Sequence, residues 1–190
     1  MSFSRDIPYY LVVDLEATCD DAGTIPRDQS ETIEIGAVLV ESESLHAVDE
    51  LQTFVRPVVH RTLTRFCTEL TTITQADVDS APLFPVAAAR LAAFARGARF
   101  CSWGAYDNNQ LARDARRHGI EHPLPGPHWN IKEAFARVSG RRRSLGAAEA
   151  LARAGLALEG THHRGIDDAR NIARMLPFAL ERVPLPPARG

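Results

Sequence analysis

Three short runs of apolar and β-branched residues in the first third of the chain constrain its fold more than any other feature. Residues 9–13 (YYLVV) and 32–40 (TIEIGAVLV) are typical of buried strands. Residues 45–55 form a less regular third run that ends at Arg56-Pro57, where a strand would stop. Because the runs follow one another at hairpin-like spacing, they predict an antiparallel meander.

The rest of the chain alternates between helical and strand-like segments. Residues 98–102 are a predicted strand, and residues 85–96, 109–118, 131–138, 144–154 and 168–180 are predicted helices. The whole pattern predicts an α/β fold with a mixed sheet flanked by helices. We expect one domain over residues 8–180, followed by a proline-rich tail at residues 181–190 that is extended or frayed.

Composition excludes several classes of protein. The 190 residues include 22 basic and 24 acidic side chains, and this net charge of −2 does not fit a histone-like binder or a disordered chain. No apolar run approaches the roughly 20 residues of a membrane span, and no secretory signal pattern follows Met1. We therefore predict a cytoplasmic protein with no membrane partner. The three cysteines are predicted to be reduced thiols.

A pair of carboxylates marks the end of the first predicted strand. Asp14 and Glu16 are one residue apart, so they share a face of the strand while Leu15 points into the core. Two oxygen ligands side by side suit Mg²⁺ or Mn²⁺. Acid pairs at this spacing are common by chance, but this pair stands at the end of a buried strand, where a charge has no packing role.

A third carboxylate, Asp107, follows the predicted strand at residues 98–102. It lies just before a predicted helix and has Gln110 three residues further on, so a helix cap is the alternative explanation.

The last predicted helix begins with two more acids. Asp167 could be its N-cap, and Asp168 a first-turn acid favoured by the helix dipole. His163 lies in the loop before them, where Gly165 lets the backbone bend His163 over Asp168. The neighbouring His162 has no evident role.

Taken together, these residues form an ordered pattern, Asp-x-Glu, Asp and His-x4-Asp. The sequence thereby resembles the DEDDh 3′-to-5′ exonuclease family. Within that family it is most similar to the branch of the histone-mRNA 3′ exonucleases, the exonucleases that limit RNA interference and a bacterial sporulation-pathway inhibitor. The resemblance covers about residues 8–180. Its marks are the segments 13–19 (VDLEATC), 31–37 (ETIEIGA), 54–57 (FVRP), 66–75 (FCTELTTITQ), 102–104 (SWG) and 165–173 (GIDDARNIA).

The resemblance implies a ribonuclease-H-like fold and hydrolysis of phosphodiester bonds with two Mg²⁺ or Mn²⁺ ions, which releases nucleoside 5′-monophosphates from a 3′ end. By this likeness Asp14, Glu16 and Asp168 hold the first ion. Asp14 bridges to the second, and Asp107 binds directly or through water. His163 is then the general base that accepts a proton from the attacking water.

The resemblance also implies where the substrate lies. Thr72 departs from the family, whose members usually carry glycine at this position, so details of the nucleotide pocket differ. The run Arg141-Arg142-Arg143 is either a contact to upstream phosphates or a solvated loop. Six residues are implied to contact the terminal nucleotide: Leu15, Ala17, Thr18, Leu70, Thr71 and His163.

Three functions stay open at this point. The complete set of four acids and one histidine favours a metal-dependent exonuclease that acts on the 3′ ends of single-stranded RNA. The first alternative is a regulatory module that keeps the fold and binds RNA or a protein without cleaving it. The second is a 3′-to-5′ exonuclease that acts on DNA.

Overall fold

The computed structural model describes residues 7–140 and 143–187. Its strands are β1 (Tyr9–Ala17), β2 (Thr32–Glu41), β3 (Ala47–Phe54), β4 (Arg99–Ser102) and β5 (Trp129–Asn130). Its helices are α1 (Arg65–Thr71), α2 (Gln75–Asp79), α3 (Phe84–Phe94), α4 (Tyr106–His118), α5 (Ile131–Val138), α6 (Ala147–Arg153), α7 (Gly165–Ala173) and α8 (Leu176–Ala179).

The five strands form one mixed sheet in the order β3-β2-β1-β4-β5. β1 pairs antiparallel with β2, and β2 with β3, which confirms the predicted meander. β4 pairs parallel with β1, and β5 parallel with β4. Since β1 and β4 run in the same direction, their carboxyl ends lie at the same edge of the sheet, where the residues that follow them can meet.

Helices cover both faces of the sheet at β1, which explains why this strand is apolar on both sides. Val12 packs into the layer that contains Ile172 of α7. Leu11 and Val13 point the other way and pack with Leu91 of α3 and with α4. The central strand is therefore held between two layers, and the end that contains the acid pair is fixed in place.

One glycine sets the distance between α7 and the sheet. A Cβ atom on Gly36 of β2 would lie 2.1 Å from the carbonyl carbon of Gly165 and 2.2 Å from the amide nitrogen of Ile166, distances that no side chain can occupy. The backbone at the start of α7 therefore rests directly on β2. This contact determines how far Asp168, in the first turn of α7, stands from β1.

The structure differs from the predicted elements mainly where these are short. The elements α1, α2 and β5 were not predicted. They have seven, five and two residues, which are too few to show a clear period. The predicted helix at 168–180 is two helices, because α7 ends at Ala173 and a second helix starts at Leu176, with Pro177 in its first turn.

The tail is ordered where the structure describes it. Leu185 packs against the core, and the Arg153 guanidinium donates to the carbonyl oxygen of Pro186 at 2.6 Å. Of the two predicted forms of the tail, these contacts favour the extended one at the described residues. Arg141 and Arg142 lie outside the described residues. Within the described ranges, no helix has both the length and the apolar character needed to cross a bilayer.

Candidate active site

Three carboxylates meet where β1 ends and α7 begins. Asp14, Glu16 and Asp168 each place one oxygen so that all three lie within 4.8 Å of one another. Glu16 is 9% exposed and Asp168 is 7% exposed. Residues more than 150 positions apart in the chain are thus assembled into one cluster by the packing of α7 on β2.

Asp107 lies beside this cluster, buried in the first turn of α4. Its Oδ1 accepts a hydrogen bond from the backbone N–H of Leu15 at 3.1 Å, which fastens α4 to the strand between the two acids. Ala105, not Asp107, is the N-cap residue, so the helix-cap explanation for Asp107 is wrong. The same holds at α7, where Arg164 is the N-cap and Asp167 lies in the first turn.

Burial and neighbouring negative charges raise the pKa of Asp14 and Glu16, and burial raises the pKa of Asp107. Burial, followed by the charges of Asp107, Glu16 and Asp168, raises the pKa of Asp14 well above its usual range. Burial and the charge of Asp168 raise the pKa of Glu16 to about 9. Burial raises the pKa of Asp107 to about 6, although the hydrogen bond from Leu15 opposes the increase.

This arrangement fits a divalent cation. Carboxylate oxygens are the ligands that Mg²⁺ and Mn²⁺ prefer, and here three carboxylates converge in a small volume. Buried carboxylates this close together repel one another unless a proton or a cation lies between them. The raised pKa of Asp14, which is caused by burial and then by the neighbouring carboxylates, shows that its charged form is disfavoured without such a partner.

The two histidines before α7 are stacked on one another. Their ring centroids are 3.9 Å apart, and the rings are inclined by 23°. The backbone N–H of His163 donates to Asp168 at 2.8 Å, and the backbone φ of His163 is +63°, a left-handed conformation that few residues adopt. Burial and the neighbouring His162 lower the pKa of His163, whereas Asp168 raises it by a smaller amount.

His162 is more closely tied to the site than the sequence indicated. Its Nδ1 lies 3.1 Å from Oδ1 of Asp168. No role for His162 was evident from the sequence, and the structure shows that its ring contacts a residue of the carboxylate cluster. This contact was missed because nothing in the sequence shows that the left-handed turn at His163 brings both rings toward the same carboxylate.

A cleft of about 310 Å³ opens over the carboxylates. Leu15, Ala17, Leu70 and His163 line it, as the substrate prediction requires, together with Cys19, Trp103, Tyr106, Ala147 and His162. Thr18 and Thr71 do not line it. The Thr18 hydroxyl accepts from the N–H of Glu31, and the Thr71 hydroxyl donates to the carbonyl of Cys67. Both side chains are buried beneath the cleft, so direct contact of their hydroxyls with a nucleotide is not favoured.

Comparison with known proteins agrees with this geometry. The RNase T exonuclease family matches residues 11–176, nearly the whole chain. The chain belongs to this family. The 3′-5′ exoribonuclease 1 of Mus musculus is 31% identical over 184 residues, which cover 91% of this chain. The 3′-5′ exonuclease Snipper of Drosophila melanogaster is 30% identical, and the match covers 88% of this chain and 68% of that protein.

Solved structures show the same fold. The nuclease domain of 3′hExo, described as a DEDDh family member bound to rAMP, superposes with a TM-score of 0.85 at 25% identity and covers 98% of this chain and all of that domain. A 3′-exonuclease described in recognition of the 3′ end of the histone mRNA stem-loop gives a TM-score of 0.85 at 27% identity, with 92% of this chain and 64% of that one covered. The predicted family and the ribonuclease-H-like fold are confirmed. The chain spans about half the length of the mouse relative, 53%.

In this member of the RNase T exonuclease family, a buried ion pair that the sequence prediction missed supports α7. Glu34 of β2 is fully buried, and its Oε2 accepts from the N–H of Gly165 at 2.9 Å and from the Arg164 guanidinium at 3.2 Å. Its Oε1 accepts from the Gln52 side chain at 2.6 Å. The sequence signal for this ion pair was the presence of a charged residue, Glu34, within the apolar run 32–40.

Thr72, the departure from the family pattern, ends α1 in a left-handed conformation with φ of +61°. Glycine adopts this conformation without strain, which explains the usual glycine in the family. The Thr72 hydroxyl lies 3.5 Å from the Arg164 guanidinium, so the residue still connects the α1 side of the cleft to the start of α7.

Proposed function

We propose that this chain is a metal-dependent 3′-to-5′ exoribonuclease that removes nucleoside 5′-monophosphates from the 3′ ends of single-stranded RNA. The observation that carries the proposal is the convergence of Asp14, Glu16 and Asp168 within 4.8 Å, with Asp107 fastened beside them and His163 at the same cleft. The names of the similar proteins support RNA and the 3′ end as the target.

The four carboxylates would hold two Mg²⁺ or Mn²⁺ ions. Asp14, Glu16 and Asp168 would bind the first, and Asp14 and Asp107 the second. Two such ions stabilise the charge that develops on the attacking and leaving oxygens of a phosphodiester. The protein's contribution is to keep the four side chains in place: β1 orients Asp14 and Glu16, the Leu15 N–H holds Asp107, and the Gly36–Gly165 contact positions Asp168.

His163 would accept the proton of the attacking water. An imidazole can do so only when it is neutral, and burial together with His162 lowers the pKa of His163 and so favours the neutral form near pH 7. Water adds its oxygen to phosphorus, the bond from phosphorus to the 3′ oxygen breaks, and a proton ends on that oxygen. The left-handed backbone and its hydrogen bond to Asp168 keep the ring at the cleft.

The apolar part of the cleft would receive the terminal nucleotide. Leu15, Ala17 and Leu70 offer contact area without competing for the phosphate, and the cleft volume of about 310 Å³ is within the range of small-molecule sites. Thr18 and Thr71 would act by holding the walls. The rAMP bound to the similar 3′hExo nuclease domain supports an exonuclease pocket for one nucleotide.

The test is digestion of 5′-labelled single-stranded RNA, and of DNA of the same sequence, with Mg²⁺, Mn²⁺ or EDTA. We expect a ladder that shortens from the 3′ end, depends on the metal and is stronger on RNA. Asp14→Ala should abolish it, and His163→Ala should reduce the rate by about 10²- to 10⁴-fold, the usual contribution of a general base.

Two exposed residues supply matched controls, Asp21→Ala for the acid and His46→Ala for the histidine. Full activity of Asp14→Ala would contradict the metal assignment. A stronger ladder on DNA would favour the DNA exonuclease, and tight RNA binding with no products under any metal would favour the regulatory module.

A further inference from the structure

His162, which the proposed reaction does not use, completes a second set of possible metal ligands. One ring nitrogen of His162, one of His163 and one carboxylate oxygen of Asp168 all lie within 4.8 Å of one another. The His162 side chain is 44% exposed, so an ion could reach it from solvent without rearrangement of the fold.

The chemistry of this set differs from that of the carboxylate cluster. Two imidazoles and one carboxylate suit Zn²⁺ and similar transition metals, whereas Mg²⁺ prefers oxygen alone. Bonds of about 2.0–2.1 Å at tetrahedral angles place neighbouring ligand atoms about 3.3 Å apart. The contact between His162 Nδ1 and Asp168 Oδ1 is 3.1 Å, which is close to that spacing. A water molecule would complete the tetrahedron.

The two sets of ligands share residues. Asp168 belongs to the carboxylate cluster as well as to the histidine set, and His163 is the proposed general base. An ion held by His162, His163 and Asp168 would occupy a lone pair of the base and redirect Asp168 away from Asp14 and Glu16. Binding at one set therefore opposes use of the other.

We propose that His162, His163 and Asp168 form a transition-metal site that binds Zn²⁺ and that zinc bound there inhibits the enzyme. The inhibition, though not the binding, rests on the proposed exonuclease function. Inhibition would be reversible, because no covalent bond of the protein changes, and it would depend on His162, the ligand that the reaction itself does not need.

The first experiment measures binding without any nuclease assay. Co²⁺ serves as the probe, because its visible absorption reports tetrahedral nitrogen and oxygen coordination, and Zn²⁺ is added to displace it. We expect a Co²⁺ spectrum for the unmodified protein that is lost on addition of Zn²⁺. The affinity should fall by at least about 10- to 100-fold in His162→Gln, since even the loss of residues that only orient a ligand costs that much. His46→Gln, at the opposite end of the sheet, is the matched control.

The second experiment titrates Zn²⁺ into the RNA digestion at saturating Mg²⁺, with each variant normalised to its own activity without zinc. Half-inhibition of His162→Gln should require at least tenfold more Zn²⁺ than that of the unmodified protein and His46→Gln. Cys19→Ser tests the other soft ligand that lines the cleft, and it should remain as sensitive as the unmodified protein.

The outcomes separate the two proposals. Equal zinc sensitivity and equal Co²⁺ affinity in His162→Gln would overturn the site, and so would relief of inhibition by Cys19→Ser alone. A His162-dependent Co²⁺ spectrum in a protein that cleaves no RNA would support the metal site and contradict the proposed function. Thermal unfolding of His162→Gln and of a second variant, His162→Asn, verifies that both variants are folded.

Discussion

At the scale of single residues, the charge of Asp14 is costly to the fold. It lies among Glu16, Asp107 and Asp168, and burial is the largest cause of its raised pKa. Its carboxylate is retained at an expense in stability, which is typical of a residue selected for binding a cation.

We therefore predict that Asp14→Asn stabilises the ion-free protein while it removes the response to metal. Replacing a buried charge with a neutral group of similar volume often gains about 1–4 kcal/mol, and each kcal/mol corresponds to about 2–4 °C for a chain of this size. Thermal unfolding in EDTA should show the increase, and the rise that Mn²⁺ causes in the unmodified protein should be absent. Asp21→Asn, an exposed acid, should behave like the unmodified protein. An unchanged Mn²⁺ response in Asp14→Asn would contradict the site.

The left-handed backbone of Thr72 gives a second prediction at the scale of single residues. A β-branched residue at φ of +61° is strained, so Thr72→Gly should raise the free energy of unfolding by about 0.5–1 kcal/mol after the greater freedom of glycine in the unfolded chain is deducted. Urea denaturation measures this. Thr74→Gly should lower stability instead, because Thr74 has an ordinary φ of −92° and its hydroxyl caps α2. A loss of stability in Thr72→Gly would show that the contact with Arg164 outweighs the strain.

At the scale of elements, the docking of α7 on β2 determines the geometry of the site. We predict that Gly36→Ala destabilises the protein by about 3 kcal/mol, at the upper end of the usual cost of overpacking, because the new methyl group meets backbone that cannot rotate away. Urea denaturation measures the loss, and Mn²⁺ affinity should fall as well, since Asp168 moves with the helix.

Gly146→Ala is the control for this change. A Cβ there meets nothing closer than 3.8 Å, and the residue is not at a positive φ. Gly146 is the N-cap of α6, where alanine is less favourable than glycine, so the loss should stay within about 1 kcal/mol. Equal stability of the two variants would mean that α7 can shift without strain.

Most of the elements that the sequence predicted contain a continuous apolar run or are long enough to show a repeat. The meander was predicted from the apolar runs of its strands, and the helices near residues 85–96, 109–118 and 131–138 from a buried face that repeats along them. α1 and α2 escaped because a helix of one or two turns has no repeat to detect. Among the candidate site residues, the pattern of the sequence predicted Asp14, Glu16, Asp107, His163 and Asp168. The contacts of Glu34 and His162 depend on tertiary packing that no local pattern contains.

At the scale of the whole molecule, the carboxylate cluster makes stability depend on pH. The folded-state pKa values of Glu16, about 9, and of Asp107, about 6, lie above their ordinary values of 4.5 and 3.8. These groups take up protons on folding, so their contribution is fully present below about pH 4 and is lost as pH rises through about 6 and then about 9.

We predict that, in EDTA, the free energy of unfolding of the unmodified protein falls relative to that of Glu16→Gln as the pH rises from 5 to 9. Urea denaturation across this range gives the difference directly. Saturating Mg²⁺ should restore stability, by about 2.7 kcal/mol when its concentration is 100 times its Kd. Glu43→Gln, an exposed acid in the turn between β2 and β3, should parallel the unmodified protein. If the free energy of unfolding depended on pH in the same way in Glu16→Gln and in the unmodified protein, the raised pKa of Glu16 would not be the cause of the pH dependence.

The separation of the acids along the chain has a consequence for synthesis. Asp14 is made early and Asp168 more than 150 residues later, and the cluster forms only when α7 settles against Gly36. A growing chain that ends before α7 lacks Asp168, the last acid of the cluster. The proposed hydrolytic activity therefore cannot arise during synthesis until α7 has been translated and has packed on β2.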